Sequence, residues 1–220
     1  MIFRLGNDCS FPNPSFAADD EHGLLAVGGD LSANRLLTAY SQGIFPWYPY
    51  RFSEICWYCP KRRFVIFPRE IHVSHSMRTL MRKECYHVTY NMAFEQVIHN
   101  CGIADERNVN KYAWLGPHIE GAFTRLYRLG FGFSTEVWEG TRLVGGLYGV
   151  VIGKVYMGES MFSLVPSASK LALISLANVL AETDGTLIDC QFETPHLKSM
   201  GGRFIPYEKF MGIMRDGFNH

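Results

Sequence analysis

Two polar residues end an apolar stretch late in the chain. The segment Thr186-Leu-Ile-Asp-Cys-Gln191 is predicted to be a strand that carries Asp189 and Gln191 at its end. Because side chains alternate along a strand, these two residues should share one face while Cys190 points into the other layer. A carboxylate and an amide on one rigid element could orient a reacting group. The alternative is a strand end whose polar residues only satisfy the amides of a loop.

A second candidate lies in Gly158-Glu-Ser-Met-Phe-Ser163, where an acidic residue and two serines interrupt an apolar strand. Glu159, Met161 and Ser163 share one face if this segment is extended. A carboxylate on an otherwise apolar face must be paired or must serve a ligand, because burying it alone is costly. Nearby glycines weaken strands unless a ligand or another backbone approaches closely. The pattern indicates a groove or, as the alternative, packing against another part of the chain.

One stretch of the chain is strongly basic. Between Lys61 and Lys83 there are seven Lys or Arg against one acid, and His75 lies among them. Arg78, Arg82 and Lys83 fall on adjoining positions of a predicted helix, which suits contact with a phosphate backbone. A solvated helix face is the alternative.

Composition and charge exclude several classes of protein. The chain has 220 residues, 47% of them apolar and 19% charged, which is ordinary for a globular protein. Its 21 basic and 21 acidic residues balance, so no global field attracts nucleic acid or an anionic membrane. The start of the chain lacks a signal-peptide pattern, and we expect a cytoplasmic protein. Cys56 and Cys59 form an isolated C-x-x-C pair, for which buried or incidental thiols are expected rather than a zinc site.

The elements that must position these residues differ along the chain. Residues 1–62 are rich in Pro, Gly and aromatic residues and show one clear helix, which Ser32 caps and Gly43 ends. We expect a small, loop-rich N-terminal domain over residues 1–62. From residue 63 to residue 220, strands and helices alternate.

The second region, residues 63–220, is predicted to contain a strand meander. Phe133–Trp138 and Arg142–Val151 flank a Glu-Gly turn and form a hairpin, to which Lys154–Phe162 adds a third strand. Residues 104–111 are predicted to be a polar loop. The pattern indicates an α/β (α+β) fold with a mixed, largely antiparallel sheet.

Several motifs together resemble one protein family. They are Gly-Leu-Leu-Ala-Val-Gly-Gly-Asp-Leu (23 to 31), Gly-Ile-Phe-Pro-Trp (43 to 47), Gly-Glu-Ser-Met-Phe-Ser (158 to 163), Ala-Ser-Lys (168 to 170) and Leu-Ile-Asp-Cys-Gln (187 to 191). In this order, and over nearly the whole chain, they resemble the leucyl/phenylalanyl-tRNA-protein transferases.

The resemblance implies an activity and a fold. It implies an aminoacyltransferase that moves Leu, Phe or, less well, Met from aminoacyl-tRNA onto a bacterial protein whose N-terminal residue is Arg or Lys, which marks that protein for degradation. It also implies that residues 63–220 form an acetyltransferase-like (GNAT-like) domain, without a metal or coenzyme A. We expect a monomeric protein.

The resemblance also implies roles for the polar residues. In a relay mechanism, Gln191 presents its carbonyl oxygen to the attacking amine, and Asp189 orients the Gln191 amide and stabilises the developing positive charge. Glu159 would hold the acceptor or the aminoacyl end. In the alternative mechanism a hydroxyl of the tRNA ribose shuttles the proton, and these residues only position the substrates. An aminoacyl ester is already activated, so positioning can supply much of the rate.

Further residues are expected to bind the aminoacyl-tRNA. The side chain of the amino acid should enter an apolar pocket made of Leu147, Tyr156, Met161 and Ile188. Two tryptophans are expected to stack on the terminal adenosine, namely Trp47 and Trp114. The phosphates of the acceptor stem should contact Arg63, His75, Arg78, Arg82 and Lys83.

Two other function classes remain as alternatives. A coenzyme A-dependent acetyltransferase of the same fold would need a glycine-rich cradle at a helix N-terminus. The nearest string, Arg142 to Leu147, lacks the final small residue and lies in a predicted strand. A catalytically inert RNA-binding module is supported only by the basic stretch.

Overall fold

The computed structural model describes residues 2–51, 54–109 and 113–217. The strands in these ranges are β1 (Phe3–Leu5), β2 (Leu24–Gly28), β3 (Phe45–Pro46), β4 (Cys56–Tyr58), β5 (Arg62–Ile66), β6 (His87–Tyr90), β7 (Gly132–Glu139), β8 (Arg142–Ile152), β9 (Val155–Ser163), β10 (Leu187–Asp189) and β11 (Arg203–Pro206). The helices are α1 (Ala33–Ser41), α2 (His75–Arg82), α3 (Phe94–Val109), α4 (Pro117–Arg128), α5 (Ala168–Glu182), α6 (Pro195–Ser199) and α7 (Tyr207–Asp216).

The first part of the chain contains a small sheet in the order β1-β2-β4-β3. The predicted helix is confirmed as α1, because the Ser32 side chain accepts a hydrogen bond from the Arg35 amide and Gly43 follows the helix with a φ of +71°. Most of the described residues up to 62 lie outside strands and helices, as expected of a loop-rich unit, but the small sheet, which buries Trp57 completely, was not predicted. Its strands are only two to five residues long, too short for an alternating pattern to be visible.

The second sheet has the order β11-β5-β10-β9-β8-β7-β6. Neighbouring strands are antiparallel except β9 and β10, which are parallel and are joined by α5 as a crossover. The predicted α/β class, with a mixed and largely antiparallel sheet, is confirmed, while the acetyltransferase-like character of the domain stays a prediction. A domain boundary between residues 62 and 63 stays a prediction; β5 begins at Arg62.

Two hydrophobic clusters cover the larger sheet. Phe94 of α3 packs with Tyr148 of β8 in one cluster, and Leu173 of α5 packs with Leu147 of β8 in the other. Because adjacent residues of β8 belong to different clusters, α3 and α5 cover opposite faces of the sheet. Of the described helices, none has the length and apolar character needed to cross a membrane.

One predicted loop is a helix. Residues 104–109 continue α3, whereas residues 110–111 of the predicted loop lie outside the described residues. The charged residues form the last turns of the helix, and Asp105 accepts hydrogen bonds from the main-chain N–H groups of Trp114 and Leu115. This polar segment is therefore helical, and one of its carboxylates binds the chain that follows.

Two glycine substitutions should have opposite effects on stability. A Cβ at Gly212, inside α7, would meet nothing within 4 Å, so Gly212→Ala should raise the free energy of unfolding by about 0.5 to 1 kcal/mol. A Cβ at Gly145 would lie 2.5 Å from the Cβ of Ala168. Gly145→Ala should therefore lower the free energy of unfolding by about 1 to 3 kcal/mol. Urea unfolding measures both changes, and a Gly145→Ala protein as stable as the wild type would contradict the close approach of β8 and α5.

Candidate active site

A cavity of about 540 Å³ opens between strands β8 to β10 and strand β3. Its size and its largely apolar lining suit a small organic group. The six residues predicted for the aminoacyl pocket and for adenosine stacking all line it, namely Leu147, Tyr156, Met161, Ile188, Trp47 and Trp114. The structure therefore brings these residues together, while the role of each stays a prediction.

Glu159 reaches this cavity through a β-bulge. Tyr148 pairs with Ser160 and Gly149 pairs with Gly158, so Glu159 is the extra residue on β9. A bulge re-aims the side chain of the extra residue relative to regular alternation. The predicted groove at the Gly158–Ser163 segment is thus present, and Glu159 lines the cavity.

Two hydrogen bonds converge on one oxygen of Glu159. The hydroxyl of Tyr40 donates to Oε1 at 2.7 Å, and Nε2 of Gln191 donates to the same oxygen at 3.3 Å. Burial raises the pKa of Glu159 to about 8, against the opposing effect of the Tyr40 hydrogen bond. A carboxyl group with this pKa can take up or release a proton near neutral pH. The sequence placed Tyr40 only on an apolar helix stripe, so its contact with Glu159 was not predicted.

Asp189 and Gln191 do not share one face, so that prediction was wrong. Ile188 and Cys190 line the cavity, whereas Asp189 is fully buried and does not line it. Gln191 lines the cavity because it leaves the strand with a φ of +56°, a conformation that breaks strand alternation. The Asp189 carboxylate accepts the main-chain N–H of Gln191 at 3.0 Å, and the Gln191 side-chain amide turns to Glu159 instead.

The prediction that Arg63 contacts tRNA was also wrong. Arg63 is fully buried, and its guanidinium binds both oxygens of Asp189, from Nε at 2.8 Å and from Nη2 at 2.7 Å. A side chain that is closed off from solvent cannot reach a phosphate. The charge of Arg63 instead neutralises a carboxylate that would be costly to bury alone.

The other predicted basic residues are on the surface. His75, Arg78 and Arg82 are exposed on α2, and the exposed Lys83 follows the helix. Met77 of the same helix is buried in the cluster that contains α5. The structure therefore presents these four residues together on a helix that packs beside a wall of the cavity.

Several residues that line the cavity were not predicted from the sequence. Ser169 and Leu173 come from α5, and Phe192 and His196 come from the segment after β10. Helix α5 is apolar on nearly all sides, so its pattern does not show which residues face a ligand. The cavity forms only when α5 crosses the sheet, and no local signal identifies its lining in advance.

Comparison with known families identifies the family of this chain. The model of the family "Leucyl/phenylalanyl-tRNA protein transferase" matches residues 65–215, and the model of its N-terminal domain matches residues 29–61. The chain belongs to the leucyl/phenylalanyl-tRNA protein transferase family. The family expected from the motifs is therefore confirmed, and the coenzyme A-dependent alternative is not favoured. Arg142 to Leu147 lies within strand β8 and does not form a loop that leads into a helix, which agrees with this.

Relatives in this family match nearly the full chain. Proteins named leucyl/phenylalanyl-tRNA–protein transferase are 46% identical in Syntrophobacter fumaroxidans, with 98% of this chain and 90% of the relative covered, and 48% identical in Syntrophus aciditrophicus, with 97% and 88% covered. The protein of this name from Nitrosomonas eutropha is 44% identical, with 98% and 92% covered. Among solved structures, L-PGS from Bacillus licheniformis is 9% identical with a TM-score of 0.44, over 80% of this chain and 57% of that one.

The two thiols of the C-x-x-C pair, Cys56 and Cys59, are not activated, since burial raises the pKa of both. Burial raises the pKa of the Cys59 thiol to about 11, and Cys56 contacts the main-chain oxygen of Glu54. Within the described ranges, no group of three or more His, Cys, Asp or Glu residues could hold a metal ion.

Glu159→Gln tests the raised pKa. The folded protein should hold a proton on Glu159 up to about pH 8, whereas the unfolded chain releases it near 4.5. The free energy of unfolding of the wild type, relative to the variant, should therefore fall as pH rises from 4.5 to about 8. The steepest slope is about 1.4 kcal/mol per pH unit. Urea unfolding of both proteins across this range measures the difference, and a difference that grows with pH would contradict the raised pKa.

Proposed function

We propose that this protein transfers leucine or phenylalanine from aminoacyl-tRNA to the N-terminus of an acceptor protein. The observation that carries the proposal is the apolar cavity that ends at Glu159 and Gln191 in a chain of this family. The names of its relatives state the donor and the acceptor class. As the sequence resemblance implies, the acceptor begins with Arg or Lys, and methionine is transferred less well.

The cavity suits an unbranched or γ-branched apolar side chain. Leu147, Met161 and Ile188 supply aliphatic surface, and the Tyr156 hydroxyl is occupied by a hydrogen bond to the Phe133 carbonyl at 3.2 Å. A pocket of this kind separates side chains that differ by one methylene by only about 1 to 3 kcal/mol. Leu, Phe and Met are therefore expected to enter, while the β-branched Val and Ile are excluded by shape.

The polar end of the cavity suits attack on an ester. The acceptor nitrogen bonds to the ester carbon, the bond to the ribose oxygen breaks, and one proton passes from the nitrogen to that oxygen. Gln191 donates its amide N–H to Glu159, which leaves its carbonyl oxygen to hold the attacking amine. Glu159, with a pKa of about 8, can receive or return the proton near neutral pH. Asp189 does not line the cavity; it supports Gln191 by accepting a hydrogen bond from the Gln191 main-chain N–H.

The tryptophans and the basic helix would hold the tRNA end. Trp47 is fixed by an aromatic cluster with His22, Tyr58 and Phe192, at ring-centroid distances of 5.7, 5.7 and 5.2 Å. A rigid indole at a cavity mouth is a suitable platform for a nucleobase. With Trp114 on the same cavity, it is proposed to stack on the terminal adenosine.

The proposal includes a monomeric, cytoplasmic enzyme. Tyr40, Glu159 and Gln191 meet within one chain, so the site is complete without a second copy. Aminoacyl-tRNA is also a cytoplasmic substrate.

Transfer of labelled leucine from Leu-tRNA to a peptide that begins with Arg tests the function. The wild type should catalyse it, and Val-tRNA should be a poor donor. Gln191→Ala should lower kcat about 100-fold with little change in the KM for Leu-tRNA, because the amine loses its acceptor. Gln96→Ala, at an exposed position of α3, is the control and should behave like the wild type. No transfer from Leu-tRNA by the wild type, or equal transfer from Val-tRNA, would overturn the proposal.

Reversing the charges of the basic helix tests its contact with phosphates. Arg78, Arg82 and Lys83 changed together to Glu should raise the KM for aminoacyl-tRNA and flatten its salt dependence. Each phosphate contact contributes about 0.7 to 0.9 to the slope of log affinity against log salt. Reaction with a short aminoacyl-adenosine should be unchanged, because this donor reaches only the cavity.

The control for this experiment is a second triple charge reversal at exposed positions elsewhere, Arg142, Lys209 and Arg215. It should leave the salt slope unchanged. Equal losses with the tRNA and the short donor would mean that α2 serves the fold alone.

A further inference from the structure

A buried arginine lies behind the polar end of the cavity. Besides its two bonds to Asp189, Arg63 donates a hydrogen bond from Nη1 to the main-chain oxygen of Gly43. The rings of Phe45 and Phe210 pack against the guanidinium, with centroids 4.8 and 4.7 Å from its central carbon. Each nitrogen of the guanidinium therefore has a fixed partner, and the group has one orientation.

The first contact of Arg63 leads to Gln191. Arg63 holds both oxygens of Asp189, and one of these oxygens also accepts the main-chain N–H of Gln191. Gln191 has a φ of +56°, which is uncommon for a residue with a side chain and needs support from its surroundings. This conformation is what sends the Gln191 side chain to Glu159.

The second contact of Arg63 leads to Tyr40. The oxygen that Arg63 binds belongs to Gly43, whose own main-chain N–H bonds to the carbonyl of Tyr40 at 3.0 Å. Tyr40 lies in the last turn of α1, and its hydroxyl donates to Glu159. Arg63 thus fixes the end of the helix that brings Tyr40 to the cavity.

We infer that Arg63 is a positioning residue for the transfer reaction, because one guanidinium holds in place both groups that hydrogen-bond to Glu159. This inference rests on the proposed function. Arg63 touches no substrate; it acts through Asp189 on Gln191 and through Gly43 on Tyr40. A displacement of about 1 Å in such groups can lower a rate about 100-fold.

A purely structural role is the competing explanation, and the chain contains a matched control. Arg35 is also fully buried, binds the Gly6 carbonyl and Asp30, and does not line the cavity. In the described structure two of its nitrogens, Nε and Nη1, have no hydrogen-bond partner. Substitution of either arginine should affect stability, but Arg35 lies in the first turn of α1, whereas Arg63 binds Asp189 and the end of that helix.

The experiment compares Arg63→Lys with Arg35→Lys in steady-state transfer of leucine from Leu-tRNA to an Arg-initiated peptide. A lysine keeps the charge but cannot bind both Asp189 oxygens and Gly43 at once. Arg63→Lys should lower kcat about 10- to 100-fold, with the KM for Leu-tRNA within about twofold of the wild type. Arg35→Lys should keep the wild-type kcat per folded molecule, even with a lower melting temperature. An unchanged kcat in folded Arg63→Lys, or equal losses in both variants, would overturn the inference.

A second variant covers the case in which Arg63→Lys does not fold. The double variant Arg63→Met with Asp189→Leu replaces the pair by apolar side chains, an exchange that often preserves folding. It should fold and still show the 10- to 100-fold lower kcat, because Gln191 and Tyr40 have lost their common support. A folded double variant with wild-type kcat would assign the pair to stability alone. A wild type that transfers no leucine would instead disprove the proposed function, so the two failures are distinguishable.

Discussion

The buried ion pair between Arg63 and Asp189 is the interaction on which the geometry of the cavity depends. Removing two charges from water is costly, and the loss is recovered only where the remaining donors and acceptors are also bonded. In this pair the remaining groups are bonded, because the guanidinium also donates to the main-chain oxygen of Gly43 and the carboxylate also accepts the main-chain N–H of Gln191. The pair joins neighbouring strands of the large sheet, β5 and β10, to the loop that follows α1. The two parts of the chain are therefore held together at the point where the cavity ends.

Burial, more than the ion pair, raises the pKa of Glu159 to about 8. Arg63 and Asp189 carry opposite charges, so their effects on this pKa have opposite signs. Asp189 reinforces the effect of burial on the pKa of Glu159, while Arg63 and the Tyr40 hydroxyl oppose it. The bulge that turns Glu159 toward the cavity thus places it where the carboxyl group keeps its proton up to about pH 8.

The sequence predicted local features well and long-range pairings poorly. The cap at Ser32 and the hairpin of β7 and β8 depend on adjacent residues, so their signals are local. The small N-terminal sheet was not visible because its strands are short, and Gln191 gave no sign of its left-handed conformation. Arg63 looked like a surface residue because it lies in a basic run. Its partner is 126 positions away, and only the packed sheet brings the two together.

Cys190 lines the cavity but is poorly suited to act as a nucleophile. Cys190 lines the cavity, where a thiolate would attack an aminoacyl ester and compete with the acceptor amine. Burial raises the pKa of the Cys190 thiol, and the nearby Asp189 carboxylate acts in the same direction, so the thiol stays protonated and inert. The ester needs no covalent activation, and the remaining groups are hydrogen-bonding side chains that converge on Glu159 from two parts of the chain. The acceptor amine, and not the Cys190 thiol, then attacks the ester, because the amine is held for attack whereas the thiol keeps its proton.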